Sequence, residues 1–367
     1  MNILYLTTHL NVGGITSYLL TLTKGMLKRG HNVYLASSGG KVLDRFLKEG
    51  IVHMTIPIRT KADLSPRILL SLIKLKKYIQ KNNIQIIHSH TRVTQVLGEL
   101  IQYALRKPYL STCHGFFKLR LIRRILPCWG MRVIAISEAV KEHLIKDLKV
   151  DPEKIRVIYN GIDLENLCLF KPEERIKIKE RFSLKDAPLV GIIARLSEVK
   201  GHIYLIKAMK KVLSYLADVK LVIVGEGRLR QRLTCLVKEL EIEKNVVFLP
   251  YITDTRQLLS VTDLFVMPSL EEGLGLSLME AMASGVAVVA SDVGGIRNLI
   301  QHNYNGILVK PRDIEGLAKA IIEVLLDKQK KEYLGRNARL FINQHFSQEK
   351  MVLETEQVYL ECLEESL

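Results

Sequence analysis

Short apolar runs rich in β-branched residues alternate with helical stretches, and the alternation starts twice. In the first half NILYLT (2–7), HNVYLAS (31–37), IQIIHSH (84–90), PYLSTCH (108–114), RVIAIS (132–137) and KIRVIYN (154–160) read as strands. The segments between them, such as TSYLLTLTKGMLKRG and the basic LSPRILLSLIKLKKYIQKN, have helical length and amphipathic spacing. Strands separated by helices imply a parallel sheet covered on both faces. Residues 164–186 are charged, lack a clear strand and read as a linker with a short helix. The pattern resumes with LVGIIA (189–194), VKLVIVG (219–225), NVVFLP (245–250), DLFVMP (263–268), VAVVAS (286–291) and GILVK (306–310). The expectation is an α/β chain of two Rossmann-like domains, 1–165 and 187–348, joined by a linker at 166–186 and facing a cleft. Such sheets bind ligands beyond the carboxyl ends of their strands, so the cleft is the natural site.

Bulk properties agree. A chain of 367 residues exceeds one ordinary core. A composition 48% hydrophobic and 25% charged is globular, and no repeat or low-complexity run is visible. No window has the length and apolarity of a spanning helix, and MNILYLTTHLNVGG reads as a first strand rather than a signal peptide. The five cysteines are scattered and form no CxxC, which favours reduced, cytosolic thiols and no structural zinc. Charge is uneven. Residues 1–166 hold nearly all of the net +16 of the chain, while 167–367 are close to neutral. A basic half suggests an anionic surface or substrate, although solubility alone would also account for it.

Several strand ends carry residues suited to chemistry. Gly13–Gly14 lies between a first strand and a helix, where backbone N–H groups meet phosphates; a simple tight turn reads equally well. Gly225-Glu226-Gly227 reads better as a structural turn. Arg195 and Lys200, in ARLSEVKGH after LVGIIA, are either a diphosphate clamp or two surface cations. His114 ends PYLSTCH beside Gly115, facing the cleft or bonded at a loop start. His88 and His90 share one face of their strand, and with His114 they could mimic a metal site, but no carboxylate or cysteine joins them at ligand spacing, so no metal site is expected. KLRLIRRILPCW (118–129) mixes Lys118, Arg120, Arg123 and Arg124 with apolar residues and Trp129. It suits an anionic membrane surface or an ordinary docked helix.

SLEEGLGLSLMEAMASG (269–285) carries Glu272 in a glycine-bearing loop and Glu280 inside a helix. If that helix spans 276–284, Leu276, Met279, Glu280 and Ala283 share one stripe. Glu280 is then expected on the buried face and in need of a partner, either a basic side chain or ligand hydroxyls. Glu272 stands at the mouth of a helix N-terminus, where amides meet anions and a carboxylate meets hydroxyls.

With these motifs in order, the chain resembles glycosyltransferase family 4, retaining enzymes of GT-B architecture, over nearly its whole length. The matching pieces are Gly13–Gly14, TCHG, VIAIS with Glu138, VIYNGID, ARLSEVKGH, the E-x7-E of EGLGLSLMEAMASGVAVVAS, and NGILVKPRD (305–313). The resemblance implies that Gly13 and Gly14 and the Arg195/Lys200 pair bind the donor diphosphate. Glu272 would take the sugar hydroxyls, with amides of Gly273, Leu274, Gly275 and Leu276 nearby. Glu280 would hold the ribose, and His114 would lie near the reacting sugar. The resemblance also implies no metal, a UDP- or GDP-sugar as donor, and a C-terminal helix (349–367) crossing back to the first domain. That segment has six glutamates and one lysine, which suits a basic partner. Two departures are Thr16, where the family often has Glu, and Arg297–Asn298, where it often has Pro-Glu.

The reading is a retaining hexosyltransferase acting on a glycan or lipid-linked acceptor in cell-surface polysaccharide or lipopolysaccharide synthesis. Its basic first domain would lie against anionic lipid at the cytoplasmic, inner face of the membrane. The alternatives are a sugar-nucleotide epimerase of the same architecture and a nucleic-acid-binding protein. The first would need acid/base carboxylates at the donor motif. The second lacks basic–aromatic interleaving, so no nucleic-acid partner is expected.

Overall fold

A computed structural model describes residues 1–117, 123, 125–164, 170–182, 184, 187–252 and 254–366. Its apolar runs become two all-parallel sheets. The first has β1 (Asn2–Leu6), β2 (Asn32–Ser37), β3 (Val52–Thr55), β4 (Ile86–Ser89), β5 (Tyr109–Cys113), β6 (Arg132–Ala135) and β7 (Ile155–Val157), in the order β3-β2-β1-β4-β5-β6-β7. The second has β8 (Leu189–Ile193), β9 (Lys220–Val224), β10 (Val246–Leu249), β11 (Leu264–Met267), β12 (Ala287–Ser291) and β13 (Ile307–Val309), in the order β10-β9-β8-β11-β12-β13. Central strands such as β5, β8 and β12 are buried at every position. A strand covered on both faces reads as a near-continuous apolar run, which is why these runs do not alternate; the buried hydroxyls of β5 are bonded, Ser111 to Trp129 O and Thr112 to His88 Nε2. The edge strand β3 is half-exposed and carries His53 and Thr55; it has no apolar run and escaped the sequence reading.

The chain divides into two compact units, Met1–Gly161 with the segment from Gln348 onward, and Ile162–Ser347. The first unit thus closes with the helix Gln348–Glu364, as the resemblance implied. This helix lies on the helix Gly14–Lys28 and buries Met351, Val352, Thr355, Val358, Tyr359 and Cys362. Side chains spaced three and four apart form one face. Burying each large apolar one contributes about 1.5–3 kcal/mol. A Cβ at Gly25 would lie 2.4 Å from Val352 Cγ2, so the missing side chain is what admits the helix. Opposite charges line the contact. Glu356 Oε2 sits 2.6 Å from Arg29 Nη2, Glu361 Oε2 lies 2.8 Å from Arg156 Nη2, and Glu365 pairs with Arg132.

Of the segment expected to be a linker, 166–186, the described residues 170–182 and 184 belong with the second unit. Its helix Pro172–Arg181 packs on the helix Thr255–Val261, and Arg181 Nη1 donates to Gln257 Oε1 at 3.1 Å. The polar composition that suggested a linker is that of an exposed docked helix. Among the described residues no helix is long and apolar enough to cross a membrane. Lys118, Arg120 and Arg124 of the basic stretch lie outside the described residues.

Candidate active site

In the second unit β8 and β11 are neighbours, although β9 and β10 intervene in sequence. Strand order reverses there, and the loops leaving the two strands diverge to leave room for a ligand. The β8 loop carries Arg195 and Lys200; the β11 loop carries Glu272. Lys200 Nζ is 2.5 Å from Glu272 Oε2, and Ser269 Oγ donates to the same carboxylate oxygen at 3.2 Å. Arg195 is exposed, with no side-chain partner among the described residues.

Backbone contacts lock these loops together. Leu270 N–H donates to Val199 O at 2.7 Å, and Gly295 N–H, from the loop after β12, donates to Glu272 O at 3.0 Å. Gly201 has φ +68, and a Cβ there would lie 1.8 Å from Pro268 O. Only glycine accommodates both that dihedral and that approach. A Cβ on Gly295 would likewise fall 2.0 Å from Gly273 O. Gly273, Leu274 and Gly275 are buried in this clamp, and Leu276 opens the helix Leu276–Ala283. The helix starts on Gly275 without a side-chain cap, so its first amides remain available to an anion.

Glu280 departs from the expected stripe. The helix buries Leu278, Met279, Ala281, Met282 and Ala283, while Leu276 and Glu280 are only half-buried. In so short and enclosed a helix, periodicity does not separate faces. Thr255 Oγ1 donates to Glu280 Oε2 at 3.0 Å. No sequence signal linked these two positions; nor did any single out Ser269 or Gly295. The glycines of the Gly225–Gly227 turn serve packing, since a Cβ on either would strike the carbonyl of Ala194 or Leu196. Of the two departures from the family pattern, Thr16 donates to Asn11 O at 2.6 Å, and Arg297 Nε donates to Asp292 Oδ1 at 2.6 Å.

In the first unit, β1 and β4 flank the corresponding reversal. Gly13 precedes the helix Gly14–Lys28, which also lacks a side-chain cap. A Cβ on Gly13 would meet nothing within 4 Å, so no neighbouring atom of the protein requires glycine there. At the carboxyl ends of β4 and β5 lies a histidine cluster. His88 Nδ1 is 2.7 Å from Tyr359 Oη, and its Nε2 is 2.7 Å from Thr112 Oγ1. His90 Nδ1 is 3.1 Å from His114 Nε2. Burial lowers the pKa of all three, His114 to about 3, so each ring is neutral near pH 7. The strand-face argument placed His88 and His90 together and set His114 beside them; the structure brings all three into one cluster, with His90 bonded to His114. Among the described residues no group of three or more potential ligands is placed to hold a metal ion.

The arrangement offers a cation–carboxylate pair at a strand-order reversal, with uncapped helix amides beside it. Such a set can grip an anion and sugar hydroxyls together. The family models match on both units. Residues 12–166 match Glycosyltransferase Family 4 and residues 173–341 match Glycosyl transferases group 1. The chain belongs to glycosyltransferase family 4. Family members similar to it include an Escherichia coli UDP-Gal:alpha-D-GlcNAc-diphosphoundecaprenol alpha-1,3-galactosyltransferase, 29% identical over 80% of this chain and 79% of that one. The N-acetyl-alpha-D-glucosaminyl L-malate synthase of Bacillus anthracis is 28% identical over 98% of this chain and 96% of its own. The crystal structure of Anabaena HepE with UDP and glucose superposes with a TM-score of 0.86 at 25% identity, covering 98% of this chain and 99% of that one. The GT-B glycosyltransferase fold and a glycosyltransferase activity follow for this family 4 member.

Proposed function

We propose that the chain is a retaining glycosyltransferase that moves a hexose or N-acetylhexosamine from a nucleotide sugar to a glycan or lipid-linked acceptor. The observation that carries this reading is the Lys200–Glu272 pair at 2.5 Å, held by a three-loop clamp beside the uncapped helix Leu276–Ala283. Lys200 would turn to the donor diphosphate together with Arg195. Glu272, released from Lys200, would accept hydrogen bonds from sugar hydroxyls, with the amides of Gly273 to Leu276 nearby. Glu280, with Thr255, would accept from the ribose. Gly13 and Gly14 leave backbone open to the diphosphate, and His114 offers a ring nitrogen to the sugar.

In the proposed step the anomeric C1–O bond to the β-phosphate breaks and a C1–O bond to the acceptor hydroxyl forms on the same face. The acceptor proton passes to the leaving nucleoside diphosphate. The charge that develops on that diphosphate is met by Arg195, Lys200 and helix amides, a fixed electrostatic set that requires no metal in this reading. HepE was solved with UDP, which supports a uridine donor. The galactosyltransferase relative acts on a diphosphoundecaprenol-linked sugar, which supports a lipid-linked acceptor; the inner membrane face is part of the proposal.

The helix Pro66–Lys81 supports the membrane part. Ile68, Leu75 and Ile79 pack inward, yet Leu69, Leu70 and Ile73 are more than half exposed on the other side, beside Lys76, Lys77 and Lys81. Apolar side chains ringed by lysines suit the headgroup region of an anionic bilayer.

The test is a panel of UDP-, GDP- and ADP-sugars read by thermal shift and saturation-transfer NMR, then turnover with a polyprenyl-diphosphate-linked sugar in EDTA. Stabilisation by one nucleotide class and an α-configured product from an α-linked donor are expected. No stabilisation by any of them would sink the reading. Inversion would sink its retaining part, and turnover restored only by added divalent cation its metal-free part.

A further inference from the structure

His90 lies at the end of the buried histidine cluster and is 2% exposed. Its backbone N–H donates to Leu6 O at 3.0 Å, fixing it across the β1–β4 reversal. The ring is enclosed by those of Tyr5, Tyr18 and His88, at centroid distances of 5.8, 5.7 and 4.1 Å. Nδ1 meets His114 Nε2 at 3.1 Å, while Nε2 is buried with no hydrogen-bond partner among the described residues.

Two neutral imidazoles sharing one hydrogen bond allow two proton arrangements. In the first, His114 Nε2–H donates to His90 Nδ1. His90 then carries its proton on Nε2, as a buried N–H with no acceptor. In the second, His90 Nδ1–H donates, and only a bare lone pair is left at Nε2. Orphaned buried N–H groups are rarer in proteins than under-used acceptors, so the second arrangement is favoured. It leaves His114, the partly exposed member, with its proton on Nδ1.

We propose that His90 is a positioning residue for His114: its Nδ1–H donates to His114 Nε2 and makes His114 Nδ1–H the donor presented to the sugar. The role of that donor rests on the glycosyl-transfer reading; the tautomer assignment does not.

The test is histidine tautomer NMR on the full chain labelled with 15N-histidine, the His114 signals being identified by their loss in His114→Gln. His114 is expected to show a pyrrole-type Nδ1 and a pyridine-type Nε2. His90→Phe should shift His114 toward Nε2–H. His90→Asn, which keeps an N–H donor near the Nδ1 position, should preserve the native tautomer, whereas His90→Gln should not. In turnover assays His90→Phe should lower kcat by about tenfold or more with donor KM within about twofold, and Asn should restore most of it. A His114 that carries its proton on Nε2 in the unmodified protein overturns the proposal, whether or not the variants fold. So does a tautomer indifferent to His90→Phe. If no nucleotide sugar is turned over by the unmodified protein, the glycosyl-transfer reading fails while the tautomer result stands by itself.

Discussion

Tyr359 Oη of the last helix lies 2.7 Å from His88 Nδ1 and donates to Tyr5 Oη at 3.0 Å. A helix that arrives more than two hundred and fifty residues after β4 is thereby bonded to the middle of the first sheet. All three side chains are fully buried. Removing the phenol oxygen in Tyr359→Phe strands a histidine N–H and leaves Tyr5 without its donor. Buried unsatisfied groups cost about 1–3 kcal/mol each. The urea midpoint of the first unit, followed by fluorescence of Trp129, the single tryptophan, should fall accordingly. A loss below about 0.5 kcal/mol would show that the bond is replaceable.

The histidine cluster sets a pH dependence. Burial holds His88, His90 and His114 below the ordinary histidine range. The unfolded chain binds protons near pH 6.5 while the folded one does not. Stability is therefore complete above about pH 6.5 and declines as the pH falls, by about 1.4 kcal/mol per pH unit for each such group. Glu99 and Glu354, raised by burial, act with the opposite sign above the ordinary carboxylate range. The informative window lies just below about pH 6.5, where the unfolded histidines begin to bind protons. The Trp129 transition should weaken there with a slope above one proton, and His114→Gln should remove about one proton from it. A flat profile contradicts the neutral cluster.

Lys200→Ala and Glu272→Ala should each leave the fold intact, because both side chains sit on loops fixed by backbone bonds. Transfer should fall by about 10²–10³ in kcat/KM for each. The double variant should be no worse than about tenfold below the poorer single one, as groups acting as a unit are not additive. Near-normal turnover in either single variant would remove that residue from the site.

Gly295→Ala tests the clamp without touching a charged group. The new methyl meets Gly273 O at 2.0 Å, so the Glu272 loop must move. Overpacking of this kind costs about 1–3 kcal/mol. Donor affinity should weaken with little change in the stability of the first unit. Unaltered donor binding would show that the loop adapts freely.

Membrane contact is tested by flotation with anionic vesicles. Leu69→Glu with Ile73→Glu should abolish co-flotation, and neutralising Lys76 and Lys77 should weaken it and flatten its salt dependence. Binding unchanged in both would exclude the helix Pro66–Lys81 as the docking face.

The fold was legible because parallel strands covered on both faces read as near-continuous apolar runs, with helical stretches between them. β3 was not, since a half-exposed edge strand has no such run. The Lys200–Glu272 loops could be placed at strand ends from sequence, but not the bond between them, because strand order is not written in either loop. Glu280 was misassigned because eight residues of an enclosed helix have no polar face to contrast. Thr255, the hydroxyl that meets it, is twenty-five residues away. The pairing of His90 with His114 depends on β4 and β5 lying side by side, and strand-face alternation supplied only the first half of it.

The return of the last helix to the first unit makes the second unit, topologically, an insertion. On the ribosome, β1 to β7 emerge first, yet the helix that bonds Tyr5 and His88 emerges only after Ile162–Ser347 has been made. At about 5–20 residues per second that is a wait on the order of ten to forty seconds. Throughout it the groove over the helix Gly14–Lys28 stands open, so the first half of the chain to be born is the last to be finished.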